Sequence, residues 1–125
     1  MILGTGVDLE EVNRMKNAIE RHGERFLRRI FTASEAAHVK RKAHPFPSYT
    51  ARFAAKEATM KALGTGWNCG IRWVDIEVEN QPGGRPLLRL HGQAAKVAHK
   101  LGCCSVHLSL SHTRDTALAE VILEG

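Results

Sequence analysis

A carboxylate and an ammonium group lie one helical turn apart in the middle of the chain. Glu57 and Lys61 belong to residues 52–66, a stretch rich in good helix formers that ends in two glycines. Side chains four residues apart share one face of a helix, and most such pairs are ordinary surface ion pairs. The same pair could hold a divalent metal ion and a phosphate side by side, if a second carboxylate reached the metal from another part of the chain.

Asp8 is the candidate for this second carboxylate. Residues 2–9 alternate as a β-strand does, which puts Asp8 on the same face as Gly4 and Gly6. A face with two glycines leaves the backbone bare, so another element or a ligand can approach it closely. Asp8 could equally be the N-cap of the helix that follows, because Asp is favoured there. The sequence leaves both interpretations open.

Two other features could bind an anion. The backbone N–H groups of Gly64-Thr65-Gly66 could form an anion-binding nest, although these glycines could also be a plain helix stop. His112 ends a predicted strand beside Ser111, where ligand contacts are common, but local hydrogen bonds could also satisfy a histidine there. A protease-like triad of Ser109, His112 and Asp115 is disfavoured because no G-x-S-x-G pattern accompanies it.

The periodicity of the chain predicts an α+β fold, with an antiparallel sheet packed against one long helix. The long helix covers residues 48–63, with Ser48 as its N-cap and Gly64 after its end. Other predicted helices cover residues 10–22, 24–31, 35–42 and 93–101, and predicted strands cover residues 2–9, 73–79, 85–90, 105–112 and 117–123. We expect a single domain over residues 1–125.

Arginines fall on the side of the first helix that is opposite its apolar residues. The row consists of Arg14, Arg21, Arg25 and Arg28. Gly23 interrupts the periodicity, so the row is best defined for Arg14 and Arg21. A basic row is more often a solvated face than a docking face, but few acidic residues dilute this one.

Composition limits the classes of function. The chain has 125 residues, a formal net charge of +5 and a pI of about 9.5, which indicates an anionic partner. Seven aromatic residues, not interleaved with basic ones, disfavour single-strand nucleic-acid binding. No stretch is long and apolar enough to span a membrane, and no secretory signal is visible. The odd set Cys69, Cys103 and Cys104 lacks metal-ligand spacing, so a reducing cytoplasm is expected.

The residues described above resemble the holo-acyl-carrier-protein synthases, the short bacterial 4′-phosphopantetheinyl transferases. The resemblance extends over about residues 1–121 and is most specific in the pattern K-E-x-x-x-K-A-x-G with G-x-D upstream. It depends on the segments GVDL (residues 6–9), RFAAKEA (52–58), KALGTG (61–66), GRP (84–86) and SLSH (109–112), in that order.

This resemblance implies an activity and a role for each matching residue. Such enzymes transfer 4′-phosphopantetheine from coenzyme A to a serine of apo acyl carrier protein, release adenosine 3′,5′-bisphosphate, require Mg²⁺ and support fatty acid biosynthesis. Asp8 and Glu57 would be metal ligands, and Lys61 would assist the departing bisphosphate. The implied coenzyme A contacts are Arg52, Lys61, Gly64, Thr65, Gly66, Pro86, Ser109, Ser111 and His112, with Lys42 and His44 as weaker candidates.

The resemblance also implies partners. Acyl carrier proteins present an acidic helix, which the arginine row (Arg14, Arg21, Arg25 and Arg28) would dock. Family members of this length form trimers with active sites shared between neighbours. Two other classes are disfavoured: a coenzyme A-binding module without catalysis would not need both Asp8 and Glu57, and a nucleic-acid-binding protein would need interleaved aromatic residues.

Overall fold

The computed structural model describes residues 1–66 and 69–125. Strand β1 (Ile2–Glu11) leads into the helices α1 (Val12–Ile30), α2 (Ala33–Lys40) and α3 (Pro45–Leu63). A 3₁₀ turn (Trp73–Asp75) then precedes the hairpin of β2 (Ile76–Asn80) and β3 (Pro86–Leu90). Helix α4 (Gly92–Leu101), β4 (Ser105–His112) and β5 (Thr116–Glu124) complete the described chain. The predicted α+β class is confirmed.

The strands form two antiparallel sheets rather than the single sheet that was predicted. One sheet has the order β1-β5-β4, and the other is the β2–β3 hairpin. The predicted strand 73–79 was wrong at its start, because Asp75 N–H donates to the carbonyl oxygen of Arg72 (3.0 Å) and closes a 3₁₀ turn there. The Asp75 carboxylate accepts from Arg72 N–H (3.0 Å) and caps this turn.

Strand β1 is longer than predicted, and this decides the role of Asp8. Pairing with β5 continues through Glu10 opposite Ala117 and Glu11 opposite Thr116, so α1 begins only at Val12. Asp8 therefore lies inside the strand, and its interpretation as an N-cap is wrong.

Helix α3 packs against β1 at a distance that only glycine allows. A Cβ atom on Gly6 would lie 1.9 Å from the Ala58 carbonyl oxygen, and one on Gly4 would lie 2.1 Å from that of Ala62. The buried face of β5, with Ala119 and Val121, continues this contact across the sheet. The predicted close approach to the glycine face of β1 is confirmed, and the approaching element is the helix that carries Glu57 and Lys61.

The ends of the helices depart from prediction in instructive ways. α3 begins at Pro45 rather than Ser48, because proline is well accommodated in the first turn of a helix. The prediction that Ser48 is an N-cap was therefore wrong.

Gly23 adopts φ 66° and ψ −150° and breaks α1, as its position in the sequence predicts. In the described part of the chain, we find no helix that is both long and apolar enough to cross a membrane.

The outer face of the three-stranded sheet carries exposed apolar side chains. Val7 is 53% exposed, Leu9 is 64% exposed, and Leu118, which pairs with Leu9, is 37% exposed. We call this surface, defined by Val7, Leu9 and Leu118, the outer apolar face.

Candidate active site

Asp8 and Lys61 meet where β1 passes beneath the C-terminal part of α3. Lys61 Nζ lies 3.2 Å from Asp8 Oδ1 and donates a second hydrogen bond to the carbonyl oxygen of Val7 (2.9 Å). The Asp8 side chain is only 10% exposed. Its second oxygen, Oδ2, is buried and finds no hydrogen-bond donor among the described residues. One oxygen of this carboxylate is thus neutralised by Lys61, and the other is available for a cation.

Glu57 and Glu10 bring two more carboxylates to Asp8. Burial and the charge of Asp8 raise the pKa of Glu57, while Lys61 opposes the shift. Glu10 follows Asp8 by two residues on the same face of β1. Burial, the adjacent Asp8 carboxylate and the charge of Glu57 raise the pKa of Glu10 to about 8, while Arg14 opposes the shift. A negative charge nearby disfavours the ionised form of a carboxyl group, so the neighbouring carboxylates make Glu10 harder to ionise.

This arrangement fits a hard divalent cation. A cation would satisfy the unpaired Asp8 Oδ2 and relieve the repulsion among the carboxylates, and oxygen ligands are those that Mg²⁺ prefers. In residues 1–66 and 69–125, no three His, Cys, Asp or Glu side chains are placed to hold a metal by themselves. Asp8 and Glu57 therefore suit an ion that completes its shell with water and substrate phosphate, as Mg²⁺ commonly does.

A cavity of about 510 Å³ opens beside these carboxylates, between α1 and α3. Its apolar wall includes Phe53 and Trp73, whose rings stack with centroids 4.9 Å apart. Glu10 and Glu57 line one part of it, and further lining residues are Glu11, Arg14, Met15, Ala18, Phe26, Arg29 and Ile30. We call this the α1–α3 cavity.

The glycines after α3 close the helix. Gly64 has φ 76°, and its N–H bonds to the carbonyl oxygens of Met60 and Lys61 (3.1 Å each). The predicted nest of free N–H groups is therefore wrong for Gly64. Gly66 also has a positive φ, and Thr65 Oγ1 donates to its carbonyl oxygen (3.2 Å).

Arg52 is buried, although the resemblance seen in the sequence implies that it contacts coenzyme A. It is 4% exposed, and its guanidinium donates to Ser48 Oγ (2.7 Å) and Asn80 Oδ1 (2.5 Å). Both hydrogen-bond partners are neutral. Pro86 pairs with Asn80 across the β2–β3 hairpin, so Arg52 and Pro86 belong to one neighbourhood.

His112 belongs to this neighbourhood through Ser48. Both residues line a cavity of about 1230 Å³ that also contains Lys42 and His44. The His112 ring nitrogen Nδ1 lies 3.2 Å from the carbonyl oxygen of Thr113. Ser109 and Ser111 alternate onto the opposite, outer face of β4 and are exposed.

The residues predicted to bind one nucleotide therefore form two groups. Lys61 and residues 64–66 lie at the C-terminal end of α3, whereas His112 and Ser48 lie at its N-terminal end. Ser48 and Lys61 are 13 residues apart, so the two groups are separated by about 20 Å along the axis of α3.

The arginine row is divided by the break at Gly23. Arg14 and Arg21 line one surface cavity, and Arg25 is exposed. Arg28 Nε lies 4.0 Å from Glu24 Oε2. Arg28 lines a second groove, which Lys40 also lines, and not the cavity of Arg14 and Arg21. Beyond the break Arg29, rather than Arg28, shares the α1–α3 cavity with Arg14.

Sequence reasoning missed Glu10 and Arg29. The two-residue spacing from Asp8 was a usable signal for Glu10, because it puts both side chains on one face of a strand. No local signal was available for Arg29, since its direction depends on the backbone angles of Gly23.

Comparison with known proteins gives a consistent result. Residues 4–119 match the model of the 4′-phosphopantetheinyl transferase superfamily. The chain is 56% identical to the holo-[acyl-carrier-protein] synthase of Solibacter usitatus, with 100% of each covered. It is 53% identical to that of Koribacter versatilis, with 99% of each covered.

Solved structures are also similar along the whole chain. The holo-[acyl-carrier-protein] synthase of Neisseria meningitidis has a TM-score of 0.91 at 32% identity and covers 100% of both chains. The Helicobacter pylori enzyme in complex with coenzyme A has a TM-score of 0.84 at 28% identity, over 96% of this chain and 99% of that one.

The raised pKa of Glu10 predicts a pH-dependent stability. Its folded value of about 8 exceeds the ordinary value of 4.5, so the folded protein binds this proton more tightly and loses stability as the pH rises between those values. Glu10→Gln removes the titration. In EDTA, we expect the melting temperature of this variant to exceed that of the wild type by a margin that grows from about pH 5 to about pH 8.

The matched control is Glu11→Gln, the same substitution at the exposed glutamate that follows Glu10 in β1. The pH-dependent rise in melting temperature over the wild type should be specific to Glu10→Gln. A constant margin for Glu10→Gln would contradict the placement of Glu10 against Asp8.

Proposed function

The chain belongs to the 4′-phosphopantetheinyl transferase superfamily as a holo-[acyl-carrier-protein] synthase, which transfers phosphopantetheine from coenzyme A to an acyl carrier protein. We propose that Asp8, Glu57 and Lys61 form its catalytic centre. The family assignment confirms the resemblance seen in the sequence. The proposal is carried by one observation: the buried, unpaired oxygen of Asp8 lies on a carboxylate whose other oxygen is held by Lys61, with Glu57 close by.

The chemistry requires charge compensation at the β-phosphate of coenzyme A. Mg²⁺ bound by Asp8 and Glu57 would supply Lewis acidity and neutralise the pyrophosphate. Lys61 would place its ammonium beside the same phosphates and stabilise the charge that develops on the departing bisphosphate. Its bonds to Val7 O and Asp8 Oδ1 support this role, because they hold the half-exposed ammonium at the edge of the site without burying it.

We propose that coenzyme A binds across two copies of the chain, which form a homotrimer. One chain would contribute Lys61 with Gly64, Thr65 and Gly66, and its neighbour would contribute Arg52, Pro86 and His112, with Ser109 and Ser111 from the outer face of β4. Two observations support this. The groups lie at opposite ends of α3, and the outer apolar face exposes apolar surface that a second copy could cover. Arg52, buried among neutral hydrogen-bond partners, suits a phosphate nearby.

The carrier protein would dock beside the carboxylates. Arg14 and Arg29 on the α1–α3 cavity, with Arg21 and Arg25 further along α1, present positive charge to an acidic helix. The apolar wall of the cavity would receive a nonpolar side chain of the carrier. Arg28 would contribute least, because it faces the groove beside Lys40.

We further propose that the enzyme acts in the cytoplasm as a single domain, residues 1–125, and serves fatty acid biosynthesis. The described cysteines, Cys69, Cys103 and Cys104, are free thiols, which suits a reducing compartment.

Removing either metal-binding carboxylate should abolish transfer. Asp8→Asn and Glu57→Gln keep side-chain volume but remove the charge that holds the cation. We expect transfer to fall at least about a thousandfold and Mn²⁺ binding to be lost, while the protein stays folded. Transfer is measured by mass spectrometry as the gain of one phosphopantetheine on apo carrier protein, with an EDTA arm.

The matched control for the carboxylates is Glu24→Gln, the same chemical change at an exposed glutamate with cationic neighbours. It should leave transfer within about twofold of the wild type. Normal turnover in either Asp8→Asn or Glu57→Gln would refute the catalytic assignment.

Shared active sites predict complementation between inactive chains. Lys61→Met and His112→Ala should each be inactive alone. After the two are unfolded, mixed equally and refolded, about a quarter of the sites in a random trimer would combine an intact Lys61 with an intact His112 from the neighbour. We therefore expect activity near a quarter of the refolded wild type. If mixed oligomers form by native mass spectrometry and no activity returns, the sites are not shared.

Reversing the charge of Arg14 should weaken use of the carrier protein. For Arg14→Glu we expect the KM for carrier protein to rise about tenfold, with the KM for coenzyme A within about twofold of the wild type. Arg28→Glu is the matched control and should have a much smaller effect. A rise in the KM for coenzyme A alone would show that the docking surface lies elsewhere.

A further inference from the structure

Lys56, the residue before Glu57 on α3, is fully buried and has no part in the chemistry proposed above. Its ammonium donates to Glu35 Oε1 (2.8 Å), to the carbonyl oxygen of Trp73 (3.2 Å) and to that of Ile76. These acceptors belong to α2, the 3₁₀ turn and β2. The three N–H bonds of one side chain thus tie α3 to three other elements.

Glu35 extends this network to the backbone of its neighbours. Its Oε1 also accepts from Thr32 N–H, and its Oε2 accepts from Val78 N–H (3.0 Å each). The Thr32 hydroxyl caps α2 through Glu35 N–H (3.1 Å). Because every charged atom of the pair has partners, the pair defines one arrangement of α2, β2 and α3.

The opposite side of α3 is held by contacts of another kind. Lys56 and Ala58 project in directions about 200° apart around the helix axis. At the edge of this side, the half-exposed Lys61 donates to Val7 O and to Asp8 Oδ1. Beneath the helix, Ala58 and Ala62 pack on Gly4 and Gly6. Such a contact sets the distance between helix and strand but is not directional. The hydrogen bonds of Lys56 are directional, so they oppose rotation of α3 about its axis.

Rotation of α3 would move Glu57. A carboxylate lies about 6 Å from the helix axis, so a rotation of about 10° displaces it by about 1 Å. A displacement of that size in a catalytic group can cost about a hundredfold in rate.

The same network also holds the wall of the α1–α3 cavity. Lys56 binds the backbone of Trp73, whose ring stacks on Phe53 next to Glu57. A change at Lys56 therefore reaches the site by two routes, through the orientation of α3 and through Trp73.

We propose that the buried pair Lys56–Glu35 positions the catalytic centre, by fixing the rotation of α3 and hence the place of Glu57 relative to Asp8. Both are positioning residues that touch no substrate. The inference depends on the proposed centre of Asp8, Glu57 and Lys61.

The test changes both partners together, because removing one would leave a buried charge unpaired and could unfold the protein. Glu35→Gln/Lys56→Met keeps the side-chain volumes, and the glutamine amide can still accept from Val78 N–H. We expect kcat to fall between about tenfold and a hundredfold and Mn²⁺ affinity about tenfold, per folded molecule.

The matched control is Glu24→Gln/Lys40→Met, the same two substitutions at an exposed ion pair with Nζ and Oε1 3.6 Å apart. It should keep wild-type kcat and Mn²⁺ affinity. A buried double variant that is folded by circular dichroism and has wild-type kcat and Mn²⁺ affinity would overturn the proposal, because a purely structural role would lower only the melting temperature.

Glu35→Asp is the second variant, in case the double variant does not fold. This substitution keeps both charges and shortens the side chain that meets Lys56 by one methylene group. The kcat should therefore fall while the protein stays folded, and an unchanged kcat would overturn the proposal. Wild-type protein and Asp8→Asn are titrated with Mn²⁺ in parallel. If the wild type binds no Mn²⁺ through Asp8, the proposed metal site fails, and the kcat ratio alone then decides the positioning role.

Discussion

The close contact between β1 and α3 is the constraint on which the site depends. Gly4 and Gly6 leave no room for a Cβ atom under the carbonyl oxygens of Ala62 and Ala58. Any larger side chain would push the helix away from the strand. Since Asp8 belongs to the strand and Lys61 to the helix, their 3.2 Å contact exists only because the two backbones approach this closely.

Three cations along α3 have different surroundings and therefore different uses. Arg52 is buried with neutral partners, Lys56 is buried and paired with Glu35, and Lys61 is half exposed beside Asp8. A buried, fully paired charge stabilises one arrangement of the fold, whereas a charge with spare hydrogen-bonding capacity can bind an anion. One helix thus carries a structural cation between two that suit phosphate groups.

The concentration of carboxylates at the site works against the folded state in the absence of a cation. Glu10 and Glu57 are forced toward Asp8, and both have raised pKa values as a result. Elsewhere in the chain, Glu77 is hydrogen-bonded by Thr32 and His91, and its pKa is lowered. Glu77 thus has donors that favour its ionised form, whereas at the site Asp8 Oδ2 lacks a donor among the described residues and burial and neighbouring charge oppose ionisation, which is typical of functional positions.

The sequence by itself determined the local features of this protein: the shared face of Glu57 and Lys61, the glycine face that carries Asp8, the break at Gly23 and the family. These follow from helix and strand periods and from residues with special backbone freedom, all readable over short spans. Only the tertiary structure decided the length of β1, the division into two sheets, the contact of Glu10 with Asp8 and the burial of Lys56 against Glu35. Each of these depends on partners far away in the chain: β5 extends β1, and Lys56 is an ordinary helix residue until α2 and β2 surround it.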